Sequence, residues 1–387
     1  MIPRTTPQQA LDQAHALLGD IALVDGHNDL PYVIRTDKTA PGDVAAFDLN
    51  DRRAGRDTDL ARLRAGRVAA QFFAAFVPPG ESQPASYALQ QIALIRRMNA
   101  LHPEALLPAL RAADIARAKR QGRIASFTAI ENGAALEGRL ESLQAFYDLG
   151  VRLMTLCHNH TTSWCDSATD APRHAGLTGF GQSVIAEMNR LGMIIDLAHV
   201  SDAVMHQVLD LSRAPVVWSH SNVRALCNHR RNVPDDVLAR VGANGGLVMA
   251  TFVPDFISER SLAWMKPFRD DFGKAIDSPG KELAMQQRAE NIGPWPRGTL
   301  SQYCDHLDAL ALRVGHGHVG IGSDFFGGPQ GPGLEDASCF PGIFAELIQR
   351  GWSRVNLKKL AEENFARVFR QVEAVARGQT QPDKRRD

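Results

Sequence analysis

Residues 21–31, IALVDGHNDLP, join a short aliphatic run to a polar ending in which His27 and Asp29 are spaced as H-x-D. The run IALVDGH over 21–27 reads as a β-strand, and a side-chain period of two puts His27 and Asp29 on one face as it ends, so that both can meet one ion. The same pattern recurs along the chain, in VAAQFFAAFV (68–77), RIASFTAIE (123–131), VRLMTLCH (151–158), MIIDLAH (193–199), PVVWSH (215–220), GLVMATFV (246–253) and HVGIGSD (318–324). Helical patterning follows each. Strands alternating with helices predict a parallel sheet, and eight of them close a barrel. The expected fold is an α/β (β/α)8 TIM barrel with its active site at the carboxyl ends of the strands.

Helix ends agree with this punctuation. Gly150 follows LESLQAFYDL and Gly192 follows SVIAEMNRL, each where a helix should stop before the next strand. Asn232-Val-Pro234-Asp-Asp opens another helix, with Asn232 as the capping residue and acidic side chains in the first turn. Residues 1–375 read as one barrel domain, 254–306 as an insertion after the seventh strand, and 376–387, ending GQTQPDKRRD, as a disordered tail.

Composition removes other classes. The chain of 387 residues is 44% apolar, and its 43 basic and 43 acidic side chains balance to a formal charge of zero. Neither a nucleic acid nor an anionic membrane surface would find its electrostatic footprint here. No apolar stretch approaches a bilayer span, and MIPRTTPQQALDQAHALLGD lacks a signal-peptide layout, so a cytoplasmic setting is expected. Five cysteines, an odd number without a C-x-x-C pair, read as reduced thiols. The 13 histidines turn a metal search towards nitrogen and oxygen ligands.

Besides His27 and Asp29, four strands end in metal-capable residues: Glu131 in TAIENG, His199 in DLAHVSD, His220 in VVWSHSN and Asp324 in GIGSDFFG. A lone histidine at a strand end is ordinarily a satisfied polar group. Six candidates on one barrel rim are not explained by packing, because buried carboxylates need partners or metal. Three histidines and three carboxylates suit two borderline divalent ions such as Zn²⁺. Residues 315–320, GHGHVG, fit G-x-G-x-x-G but lead into a strand instead of opening a helix, so no dinucleotide site is read there. Cys157, Met154, Met193 and Met249 are read as core.

From about Ile21 to about Arg370 the sequence resembles the membrane (renal) dipeptidase family of binuclear zinc peptidases, within the amidohydrolase superfamily. The strings that carry the likeness are VDGHNDLP, TAIENG, MTLCHNH, DLAHVSD, SHSNVRALCNHRRNVPDD and GIGSDF. The resemblance implies two Zn²⁺ per chain, with His27 and Asp29 on one, His199 and His220 on the other, and Glu131 bridging. It further implies that Asp324 holds a bridging hydroxide and moves protons, that His158 contacts the substrate carbonyl, and that Arg231 receives the substrate carboxylate. His160 competes with His158, while His174 and His229 are weaker candidates. A solvated arginine, or an ion pair with Asp235 or Asp236, competes for Arg231. Many relatives read G-S/G-D-F-D-G, but Phe326 stands here at the second acidic position.

These roles make chemical sense. Two close cations generate hydroxide near neutral pH, a carboxylate beside it can shuttle the proton to the leaving amine, and a guanidinium grips a carboxylate with two parallel bonds. The expected activity is hydrolysis of dipeptides, L-Xaa-D-Xaa included, to free amino acids. An N-acyl amino acid deacylase using the same site, or a catalytically silent metal-binding protein, are the rivals. A dipeptide is the expected small-molecule partner, with neither nucleic acid nor membrane, and the resemblance implies a homodimer.

Overall fold

The computed structural model describes residues 5–52, 55–275 and 280–378. Among these residues nine strands form one parallel sheet: β1 (Leu23–Asn28), β2 (Val68–Phe76), β3 (Leu106–Pro108), β4 (Ile124–Glu131), β5 (Val151–Thr155), β6 (Ile194–Asp196), β7 (Val217–Trp218), β8 (Leu247–Ala250) and β9 (Val319–Ile321). β2 pairs directly with β4, from Ala70 opposite Ala125 to Phe76 opposite Glu131. Asp25 of β1 pairs with Ile321 of β9 and closes the ring. Eight strands thus make the expected (β/α)8 barrel.

β3 is the strand that sequence reading missed. It is three residues long and lies against Ile124–Ser126, at the amino end of β4. So short a segment carries no alternation.

The expected strands also overrun the ladders. Strand pairing covers only Ile194–Asp196 of the predicted 193–199 and Val217–Trp218 of 215–220. His158, His199, His220 and Asp324 therefore sit in the loops just past their strands, not at strand ends. His199 and Asp324 have positive φ, 71° and 60°, a left-handed conformation that breaks a ladder and gathers at functional sites. Asp29 is also off its strand: with φ −91° and ψ 16° it precedes the helix Leu30–Arg35. Strand alternation is therefore not what brings it beside His27.

The core has two parts. Between the barrel and its helices lie Met154, Met193 and most of the buried aliphatic residues. Inside, Phe72 and Phe127 stack at 4.7 Å and meet Phe365 and Phe369 of the helix Asn364–Ala376, which closes the end of the barrel opposite the rim. Met249 belongs to this inner cluster. The cysteines are unpaired, four of them buried and Cys339 half-buried. None of the described helices is long and apolar enough to cross a membrane.

The helix Gly179–Leu191 ends at Gly192, whose φ of 81° most side chains would resist. Asn232 departs from expectation. It does not cap the helix Asp235–Asn244; Pro234 takes that position, without a side-chain bond. The Asn232 amide instead donates to the carbonyls of Cys227 and Phe256, both at 2.8 Å, and so pins the loop that carries Arg231. After β8 come the helices Pro254–Ile257, Glu259–Met265, Lys281–Ile292 and Leu300–Val314. The last buries Tyr303, Leu307 and Leu310, and its Tyr303 hydroxyl donates to Ala250 of β8 at 3.2 Å. From residue 379 onward the expected tail lies outside the described residues.

Candidate metal centre

Glu131, the last residue of β4, is buried and stands at the middle of the rim. Its Oε2 faces His27 Nε2 at 3.5 Å. Its other oxygen, Oε1, faces the Nε2 atoms of His199, His220 and His158 at 3.0, 3.7 and 3.8 Å. Asp29 and Asp324 approach His27 Nε2 at 3.6 and 3.9 Å. Three overlapping groups have ligand-sized spacing: His27 with Glu131 and His220, Glu131 with His158 and His199, and His27 with Asp29 and Asp324. All six rim candidates and His158 therefore converge on one place.

A second tier of polar residues, which sequence reading missed, orients these ligands. Asp196 accepts from Thr155 Oγ1 and Ser219 Oγ, both at 2.6 Å, and from the backbone N–H groups of Ser219 and Ala198 at 2.8 and 3.0 Å. Ser219 Oγ, its single proton given to Asp196, must accept from His220 Nδ1 at 2.7 Å. That puts the imidazole proton on Nδ1 and leaves Nε2 free as a ligand. Asn159 does the same for His199, its Oδ1 lying 3.0 Å from Nδ1. Asp25 repeats the device beside β9, accepting from Ser323 N–H at 2.7 Å and Oγ at 2.6 Å. In both cases a serine immediately precedes a rim residue, Ser219-His220 and Ser323-Asp324, and that is the signal by which they could have been found. Gly322 allows the crowding, because a Cβ there would fall 1.7 Å from the Ser219 carbonyl oxygen.

The electrostatics ask for a cation. Burial, assisted by Asp29 and Asp324, pushes the Glu131 carboxyl up to about 7. Burial, with Asp29 and Asp25, pushes Asp324 up to about 6. Burial works against a charge on His27, yet Glu131 and Asp29 outweigh it and hold the ring well above its usual value. Burial keeps His158, His199 and His220 well below theirs, helped by Arg231 beside each, and so neutral with free lone pairs. Both ring nitrogens of His27 are buried without a hydrogen-bond partner, as is Asp29 Oδ1. Unpaired buried polar atoms are costly. Neutral imidazoles facing carboxylates that cannot comfortably ionise together fit divalent cations.

The cluster floors a cleft of about 150 Å³, walled by Asn159, Thr169, Phe256, Arg269 and the segment Gly273–Ala275. Arg231 lines it and is only 4% exposed, which removes the reading as a solvated arginine. Asp235 and Asp236 pair elsewhere, with Arg313 and His206. Burial lowers the Arg231 guanidinium to about 10 against the pull of Asp324 and Glu131, so it remains a cation at neutral pH. His160 lies 3.4 Å from Lys274 and His174 bonds the Thr162 carbonyl, so neither joins the cluster. Cys157 is buried and bonds backbone carbonyls. Phe326 is half-buried, its N–H donating to Asp57 at 2.9 Å.

A closed parallel barrel with histidines and carboxylates gathered at its carboxyl rim defines a metal-dependent hydrolase. Comparison with known proteins narrows the class. The membrane dipeptidase family profile, peptidase family M19, matches residues 11–383. Dipeptidase 3 of Rattus norvegicus is 37% identical over 372 residues, covering 94% of this chain and 68% of its own length. In fold, the probable dipeptidase PvdM from Pseudomonas aeruginosa superposes with a TM-score of 0.80 at 25% identity, over 96% of this chain and 100% of its own. A metallopeptidase from Rhodobacter sphaeroides, liganded with a phosphinate mimic of the dipeptide L-Ala-D-Ala, gives 0.74 at 23% identity, over 91% and 99%. The chain belongs to the membrane dipeptidase family, and it is a metallodipeptidase, a peptide-bond hydrolase.

Proposed function

We propose that the cluster holds two Zn²⁺ ions and that the enzyme cleaves dipeptides, L-Xaa-D-Xaa among them. His27 and Asp29 would hold one ion, His199 and His220 the other, and Glu131 both. Glu131 carries this reading, since its two oxygens turn to different histidines, Oε2 to His27 and Oε1 to His199 and His220. Bound there, two such ions supply a nucleophile at neutral pH and polarise the scissile carbonyl.

The remaining steps belong to side chains. Asp324 lines the cleft, and its raised proton affinity suits it to take a proton from the attacking water and return it to the leaving amine. His158 is neutral and lines the cleft, whereas His220, at much the same distance from Glu131, does not, which leaves His158 for the substrate carbonyl oxygen. Arg231 offers its buried guanidinium to the substrate carboxylate. The phosphinate mimic of L-Ala-D-Ala held by the Rhodobacter sphaeroides protein supports a D-residue on the carboxyl side.

The test is product-resolved hydrolysis by zinc-loaded protein of L-Ala-D-Ala, L-Ala-L-Ala and N-acetyl-D-alanine, each with and without a chelator. Chelator-sensitive release of D-alanine from the first is the expected result. Cleavage of the acetylated compound alone would assign deacylation, and zinc uptake without any turnover would assign a silent metal-binding protein.

A further inference from the structure

His229 is used by none of the roles above, and its surroundings set it apart from an ordinary core histidine. It is 3% exposed and lines the cleft together with Arg231. Its Nδ1 accepts from the backbone N–H of Arg231 at 3.1 Å. In the neutral ring the proton therefore sits on Nε2, and that buried donor makes no well-formed hydrogen bond among the described residues, although the Gly273 carbonyl lies near it. A Cβ on Gly273, in the segment walling the cleft, would come 3.7 Å from Nε2, so this edge of the ring faces the wall.

Arg231 is in the same condition. Among the described residues its Nε has no partner, and its one guanidinium hydrogen bond is a long one, 3.4 Å, to the His220 carbonyl. Both side chains rest on Phe256, with the His229 ring centroid at 4.3 Å and the Arg231 Cζ at 5.2 Å from the centre of its ring. Arg269, the neighbouring cation on the cleft, is committed to Asp255 and the Gly273 carbonyl. Two buried donors on one aromatic platform, neither well satisfied among the described residues, call for a ligand group that is all acceptor.

We infer that His229 is a substrate-binding residue, whose Nε2–H completes with Arg231 a two-residue subsite for the dipeptide's carboxylate. The assignment rests on the reading of Arg231 as the carboxylate receptor. The hydrogen bond from Nδ1 to the Arg231 backbone ties the two donors together, fixing the tautomer and the position of the loop at once.

Two substitutions separate the ring's nitrogens. Asn can reproduce the Nδ1 acceptor but not reach Nε2, whereas Gln can place an amide N–H near Nε2. For His229→Asn the KM for L-Ala-D-Ala should rise about tenfold or more, the scale of a lost bond to a charged group, with kcat within about twofold. His229→Gln should recover most of that loss. Neither should alter the KM for the dipeptide's C-terminal amide. The reverse order, Asn normal and Gln impaired, or an equal loss on the amide, would reduce His229 to support of the loop and overturn the inference. If wild-type enzyme showed no preference for the free carboxylate, or Arg231→Ala kept the wild-type preference, the reading of Arg231 would fail instead. Should both His229 variants melt below the assay temperature, ¹⁵N-imidazole NMR of the unaltered zinc enzyme decides. A neutral-histidine Nε2–H resonance should move on adding the phosphinate dipeptide mimic and stay put with its amide, and no movement with either overturns the inference.

Discussion

Ser219→Ala removes one oxygen from beneath the cluster. The hydroxyl donates to Asp196 at 2.6 Å and accepts from His220 Nδ1 at 2.7 Å. A bond to an ionised carboxylate contributes roughly 1.5–3 kcal/mol, and a buried imidazole N–H stripped of its acceptor costs roughly 1–3 kcal/mol. Asp196 keeps three other donors, so the two terms do not simply add, and the loss of folding stability should be about 2–4 kcal/mol. The effect on metal should be larger than that on the fold. Without Ser219 the His220 proton is no longer tied to Nδ1, and loss of such a supporting bond lowers metal affinity about 10–100-fold. The assay is competition for zinc against a chelator of known affinity, with thermal melting alongside. Ser323→Ala is the comparator, because it takes the same donor from Asp25 and touches no ligand imidazole. Its melting point should fall without a matching loss at the His220 position. Zinc affinity within twofold of wild type in Ser219→Ala would refute the reasoning.

Three further outcomes are expected. Asp324→Asn should retain most of its zinc and lose about 100-fold or more in kcat, since general acid–base groups contribute on that scale; wild-type turnover would exclude Asp324 as the proton carrier. Arg231→Ala should raise KM for free-carboxylate dipeptides about tenfold or more and leave zinc content unchanged, and an unaltered KM would count against its role. The third concerns acid stability and His306, which is buried, accepts from Val223 N–H at 3.2 Å and lies 2.9 Å from the Ile257 carbonyl. Burial pushes it from an ordinary 6.5 down to about 4. Because the folded value lies below the unfolded one, its contribution is complete above pH 6.5 and is lost as pH falls through about 4. That amounts to about 3 kcal/mol at the acid end. His306→Gln should flatten denaturant-measured stability across this window, and an equally steep acid loss in the variant would contradict the assignment.

The barrel was legible because its strands are short aliphatic runs between helical patterns. The rim was legible because polar residues end those runs. His27, Glu131, His199, His220 and Asp324 could be placed on one rim from topology alone, since parallel strands bring their carboxyl ends together whatever their separation in sequence. What could not be read was local geometry. His199 and Asp324 bend away in left-handed conformations, and Asp29 precedes a helix, so strand periodicity stops describing these residues just where their chemistry begins. β3 was invisible because three residues carry no period. Asn232 was misread because its composition suits a cap, whereas tertiary partners at Cys227 and Phe256 claim its amide. Asp25, Asp196 and Ser219 were passed over because nothing in a strand's own sequence reveals which neighbouring strand will share its hydrogen bonds.

The claim on which the rest depends is a site for two ions shared across Glu131, and titration tests it most directly. Metal-free protein would be given zinc in steps while bound metal and L-Ala-D-Ala hydrolysis are followed together, for wild type and for Glu131→Gln. The account predicts uptake to two equivalents in the wild type, with full turnover reached only as the second enters, and impaired uptake at both positions in Glu131→Gln. Full activity at one equivalent, or two tightly held ions in Glu131→Gln, would contradict it.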